Sequence, residues 1–108
     1  MAITIKQGDA LELPVSVLLN GEAIDCTDVE TAEFRLGDRL RLCWPAEVDY
    51  DETRQCFLLP LSQQDTFALA ADSTVYLDCR VKFIGGGVLG AGKMAAVSVA
   101  DALSEEVL

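Results

Sequence analysis

Histidine is missing altogether from this 108-residue sequence, and only eight lysines and arginines stand against eighteen aspartates and glutamates. Without histidine the usual proton shuttle and the commonest nitrogen ligand for zinc are gone. A net charge of −10 repels phosphate backbones, so nucleic acid is excluded as an expected partner. No apolar run approaches the ~20 residues of a membrane span, and the start Met1-Ala2-Ile3-Thr4-Ile5-Lys6 lacks the basic-then-apolar order of a signal peptide. The expectation is a soluble cytoplasmic chain with no membrane partner. Cys-x-x-Cys pairs are absent too, since Cys26, Cys43, Cys56 and Cys79 are separated by 17, 13 and 23 residues. Four reduced thiols behaving as small hydrophobes are expected, with a disulfide as the alternative and no zinc site.

Half of the sequence is apolar, 51% against 24% charged, and the apolar residues are spread along the whole length. That composition and size fit a single globular domain over residues 1–108 with a core of its own. The first 34 residues carry seven acids against Lys6 alone, which is either a face for a basic partner or a solvated surface; solvation is the simpler reading.

The periodicity throughout is that of strands. Leu11, Leu13, Val15, Val17 and Leu19 alternate with Glu12, Pro14, Ser16, Leu18 and Asn20, the pattern of a strand buried on one face. Pro14 cannot donate to a ladder, which places this strand at a sheet edge or interrupts it there. Asn20-Gly21 predicts a hairpin in which Leu19 faces Glu22, Val17 faces Ile24 and Val15 faces Cys26. For the next hairpin, a three-residue loop of Gly37, Asp38 and Arg39 pairs Leu36 with Leu40, Phe34 with Leu42 and Ala32 with Trp44. A two-residue loop would set Phe34 against Arg41, so the longer loop is expected.

A strand is expected over Ala46 to Asp51. Cys56-Phe57-Leu58-Leu59-Pro60-Leu61 has no clean alternation, the pattern of a strand covered on both sides. Ser62-Gln63-Gln64-Asp65 has capping-box spacing with Asp in place of Glu, and predicts a short helical crossover running toward Ala71. Thr74 to Ile84 is the clearest strand, with Val75, Leu77, Cys79, Val81 and Phe83 on one face. Gly85-Gly86-Gly87 turns the chain into a last strand, Val88 to Val99, with Gly90 and Gly92 as bulge or bend positions; the tail from Asp101 reads as a frayed helix. About seven short strands with one crossover predict an all-β, immunoglobulin-like antiparallel β-sandwich. Tyr76 stands three residues before Cys79, not two, so the antibody-type disulfide with its buried tryptophan is not expected, and Trp44 is read as a core residue.

No site residue emerges from the motifs: no catalytic, cofactor-binding or metal-ligating residue is expected, and no cofactor. Glu47, Asp49, Asp51 and Glu52 have a cation's preferred chemistry but fit no defined calcium loop, and Glu47, Asp49 and Asp51 alternate as a solvated face does. The glycines from Gly85 to Gly92 lack the Gly-x-x-x-x-Gly-Lys-Ser/Thr order of a phosphate loop, and Lys93 does not supply it. With no Gly-x-Ser-x-Gly elbow and with cysteines mostly on apolar faces, the expectation is a binding or assembly module and not an enzyme.

Several segments resemble a known family: Ile3-Thr4-Ile5-Lys6-Gln7-Gly8-Asp9 before the alternating strand, Asn20-Gly21-Glu22, Val29-Glu30-Thr31-Ala32-Glu33-Phe34, Leu61 to Phe67, Arg80-Val81-Lys82-Phe83 and the Ser98 to Val107 ending. Over nearly the whole chain they are similar to small phage and prophage proteins of Gram-positive bacteria, like the amino-terminal domain of siphophage upper baseplate proteins. The resemblance implies a β-sandwich structural protein of a tail or baseplate. Its partners would be other tail or baseplate proteins and further copies of itself, and it would reside in the bacterial cytoplasm before assembly and in the virion tail afterwards. A free-standing immunoglobulin-like ligand module, for instance for carbohydrate, is the alternative; it needs Trp44 and Tyr50 exposed side by side.

Overall fold

A computed structural model of the chain describes residues 2–19, 22–24, 26–37, 40–100 and 102. In chain order the strands are β1 (Ala2–Lys6), β2 (Leu11–Val15), β3 (Leu18–Leu19), β4 (Glu22–Ala23), β5 (Val29–Leu36), β6 (Leu40–Trp44), β7 (Asp49–Asp51), β8 (Cys56–Leu61), β9 (Ser73–Phe83) and β10 (Val88–Ala100). A 3-10 turn, Cys26–Asp28, precedes β5, and helix α1 (Gln63–Phe67) links β8 to β9. A five-stranded sheet, β1-β10-β9-β5-β6, packs on a three-stranded sheet, β2-β8-β7, and β3-β4 forms a separate two-stranded ribbon. The chain is all-β with a sandwich-like arrangement. The immunoglobulin-like expectation goes no further than that shared plan, and the expectation of purely antiparallel sheets is corrected: β1 runs parallel to β10, Ile5 beside Val99.

The core lies between the two sheets. Phe34, Leu36, Leu77, Cys79 and Val97 from the large sheet meet Leu13, Val15, Phe57, Leu59 and Leu61 from the small one, all buried. Each set sits at alternate positions of its strand, which is why a period of two in the sequence becomes one buried face. Phe57 is the hub: Phe34 and Tyr50 have ring centroids 5.0 Å from it and Trp44 6.1 Å, all tilted or edge-on, the geometry that ring quadrupoles favour.

The β5–β6 register is the one a three-residue loop requires, Leu36 opposite Leu40 and Ala32 opposite Trp44, although Asp38 and Arg39 lie outside the described residues. Leu19 pairs with Glu22, and the Ile24 amide donates to the Val17 carbonyl at 3.1 Å; Asn20 and Gly21 also lie outside. The long strand expected over Leu11 to Leu19 is broken in two. Val15 pairs with Phe57, not with Cys26, and is the last residue of β2; Ser16 and Val17 lie between the strands, and the chain passes into the ribbon at Leu18. Ala46 to Asp51 shrinks to β7 because Pro45, Ala46 and Glu47 turn after the cis Trp44–Pro45 bond. In β8 only Cys56 and Phe57 are adjacent buried residues, and Pro60 is exposed; burial on both sides is confined to its start. The last strand has its irregularities at Gly90/Gly92 and Lys93/Ala95.

Helix α1 has its capping box: Ser62 Oγ accepts the Asp65 amide at 3.1 Å and Asp65 Oδ2 accepts the Ser62 amide at 2.9 Å. Its Thr66, the one buried polar side chain among the described residues, locks the helix to the β1–β2 turn. Thr66 Oγ1 donates to the Asp9 carbonyl at 2.8 Å and accepts the Gly8 amide at 2.9 Å. Gly8 is there of necessity: its φ is +89°, and a Cβ would stand 2.9 Å from the Phe67 ring.

Candidate interaction surface

Strand addition at a sheet edge needs a row of unpaired backbone groups, and each of the four edges of the two larger sheets is short or interrupted. On β1 the Gln7 amide bonds back to Ala100, so by alternation Thr4 and Lys6 face outward. Lys6 is already occupied, its amide by Asp9 Oδ2 and its carbonyl by the Asp9 amide, both at 3.0 Å. On β6 the outward groups of Cys43 are taken by the Glu47 carboxylate at 3.1 Å and by the Glu47 and Val48 amides. On β2, Pro14 opposite Leu58 and Pro60 opposite Glu12 share one parity, the one whose N–H groups point away from the partner, so Pro14 removes one outward donor and interrupts that edge after Glu12. β7 is three residues long.

The outer face of the large sheet neutralises itself. Arg35 lies opposite Asp78 and Glu33 opposite Arg80 in the β5–β9 register, Arg41 pairs with Glu33, and Lys82 Nζ stands 2.9 Å from Glu30. The Arg41 hydrogen bond holds the Glu33 carboxyl below its ordinary range. These are exposed pairs of alternating sign, a solvated face.

Two of the four carboxylates that share a cation's chemistry, Glu47 and Asp51, are engaged otherwise. Asp51 accepts the Thr53 and Arg54 amides and the Arg54 guanidinium at 2.8 Å, which holds its carboxyl low, while Glu47 caps β6. No group of three or more ligating side chains gathers among the described residues. All four cysteines are free thiols. Trp44 is half-buried against Phe57, and Tyr50 donates its hydroxyl to the Ile24 carbonyl at 3.2 Å; they do not form an exposed platform.

One end of the molecule is different. β9 and β10, 11 and 13 residues long, outrun the five- and six-residue strands β2 and β8, so the inner face of their hairpin continues where the small sheet has ended. The β3–β4 ribbon lies over that overhang only in part. Between them is a cavity of about 60 Å³, walled by Val17, Leu18 and Ile24 from the ribbon side and by Val81, Phe83, Leu89 and Gly90 from the hairpin. At its mouth Leu18 and Leu89 are exposed, and Ile84 and Val88, also exposed, stand on the opposite face of the same hairpin end, Val88 opposite Lys82. Clustered exposure of this kind marks a contact surface, whereas single exposed apolar residues need no explanation.

None of these four was singled out from sequence, yet a signal was present. Leu18 follows Glu12, Pro14 and Ser16 on the polar parity of its segment, and Ile84 follows Asp78, Arg80 and Lys82 on the polar parity of β9. No family model, curated protein or solved structure matches this chain.

Proposed function

We propose that this chain is a structural protein of a phage or prophage tail or baseplate, a protein–protein assembly module that presents its apolar end to neighbouring subunits. The observation that carries the assembly role is the open apolar cavity between the β3–β4 ribbon and the β9–β10 hairpin, with Leu18 and Leu89 exposed at its mouth, on a fold whose edge strands are short or interrupted. The phage setting rests on the sequence resemblance over Ile3–Asp9, Val29–Phe34, Leu61–Phe67 and Arg80–Phe83. In this reading the partners are other tail or baseplate proteins and further copies of the chain, and its place is the bacterial cytoplasm before assembly and the virion tail after it. No catalytic step is part of the role. A carbohydrate-binding module would need a stacking platform, and Trp44 and Tyr50 are turned onto Phe57.

The test is mass spectrometry of particles purified after prophage induction in the source bacterium. The proposal expects the chain at a stoichiometric level beside tail proteins; intact particles without it would refute the tail or baseplate role.

A further inference from the structure

β1 is short, and its shortness uncovers part of the strand behind it. β10 runs from Val88 to Ala100, but β1 pairs only with Ala96 to Ala100. β9 lines the other side of β10 from Val88 to Val99. From Val88 to Ala95, therefore, no strand among the described residues takes the side of β10 that β1 takes further on.

Two hydrogen bonds fix which backbone groups face that open side. The Phe83 amide donates to the Gly87 carbonyl at 2.8 Å, and the Gln7 amide to the Ala100 carbonyl at 2.9 Å. Alternation then turns the odd-numbered residues of β9 toward β10, and the β10 residues opposite its even-numbered ones toward the β1 side. Those are Ala96 and Ser98, opposite Tyr76 and Thr74, and before them Val88, Gly90 and Lys93, opposite Lys82, Arg80 and Asp78. The two bulges add residues to β10 without breaking the two-residue step on β9, so one row of outward N–H and C=O groups continues past the end of β1. Its uncovered part is about 20 Å long, the length of an ordinary strand. Such a row is a template for one more extended backbone.

We propose that two copies of this chain pair along this row, β10 against β10 of the second copy, antiparallel about a two-fold axis at Gly90. The inference rests on the reading of this end of the molecule as a contact surface and names its partner. Three observations favour a second copy. The row is self-complementary: pairing centred on Gly90 sets Gly90 opposite its counterpart and Val88 opposite Lys93 of the second copy, so the row's one charged residue never meets itself. Residues 84–100 contain no aspartate or glutamate, so two chains of net charge −10 meet along a stretch free of acid. Leu89, half exposed at the cavity mouth, stands next to the axis and diagonally across it from its counterpart, and two five-stranded sheets become one continuous sheet.

The test is sedimentation of the full chain over a wide concentration range, with Gly90 as the probe because a Cβ there would meet nothing within 4 Å and its φ is not positive. The wild type is expected to double its mass as concentration rises and to go no further, since a two-fold contact closes on itself. Gly90→Glu and Gly90→Lys each set two like charges face to face and are expected to remain monomeric. Their equimolar mixture is expected to form the dimer again, and circular dichroism checks that each variant is folded. A wild type that stays monomeric overturns the proposal, as does a Gly90→Glu variant that dimerises like the wild type or a mixture that stays monomeric. Where the chain is monomeric in solution yet present in purified particles, the assembly role stands and this dimer alone is refuted.

Discussion

Replacing Phe57 with leucine keeps an apolar side chain at the centre of the core but removes the ring on which Phe34, Trp44 and Tyr50 converge. Each such ring pair contributes ~0.5–1.5 kcal/mol beyond the area it buries. The three pairs share one ring and are not additive, which sets the expected cost at about 2–3 kcal/mol, below the ~3–5 kcal/mol of a Phe→Ala truncation. A domain of this size has about 5–15 kcal/mol of stability, so the variant folds but loses a large share of it. Trp44 is the only tryptophan and touches the perturbed ring, so its fluorescence reports urea unfolding directly. With a slope of ~1–3 kcal/mol per molar, the midpoint should fall by about 1–2 M at unchanged slope. A fall of less than ~0.3 M would mean that the ring contacts contribute nothing beyond hydrophobic bulk, and the account of this core would be wrong.

Three further outcomes follow from other parts of the molecule. Thr66→Val leaves the Gly8 amide and the Asp9 carbonyl without their partner and should cost ~1–3 kcal/mol in the same urea assay; a neutral result would show that the helix is not held through this hydroxyl. Thiol labelling under native conditions should modify the half-buried Cys26 and Cys43 quickly and the buried Cys56 and Cys79 only at the rate of unfolding, and four equal rates would contradict the packing. Burial, with a smaller effect from Asp78, pushes the Cys79 thiol up to about 12, whereas an unfolded cysteine ionises near ~8.5. The unfolded chain therefore gives up this proton first. The stability it contributes is complete below about pH 8.5 and is lost as pH rises toward 12. The stability difference between wild type and Cys79→Ala should shrink across that range, and a constant difference would refute the buried, neutral thiol.

What the sequence made legible was local. The register of β5 on β6 followed from matching Phe34 with Leu42 instead of Arg41, the capping box from the spacing of Ser62 and Asp65, and the edge position of β2 from Pro14. What was hidden depended on contacts distant in sequence. Nothing near Ile5 says that it lies parallel to Val99, nor does anything near Val15 say that it will pair with Phe57 and end its strand there. The fastening of Thr66 to Gly8 joins residues 58 apart, and a threonine inside a helix carries no pattern that reveals it. The apolar end falls between these cases. Leu18 and Ile84 stood on polar parities in plain view, but only the overhang of β9 and β10 beyond the small sheet leaves Leu89 uncovered, and strand lengths in two different sheets decide that.

The central claim is that the end of the molecule around Leu89 joins it to its neighbours. The most direct measurement is the composition of particles induced from a strain carrying Leu89→Glu, compared by quantitative mass spectrometry with the parent strain. Leu89 is half exposed, so the variant folds and persists in the lysate. The account predicts that it is lost from the purified particles while the wild-type chain is retained. Incorporation of Leu89→Glu at the wild-type level, or absence of the wild-type chain itself, would contradict it.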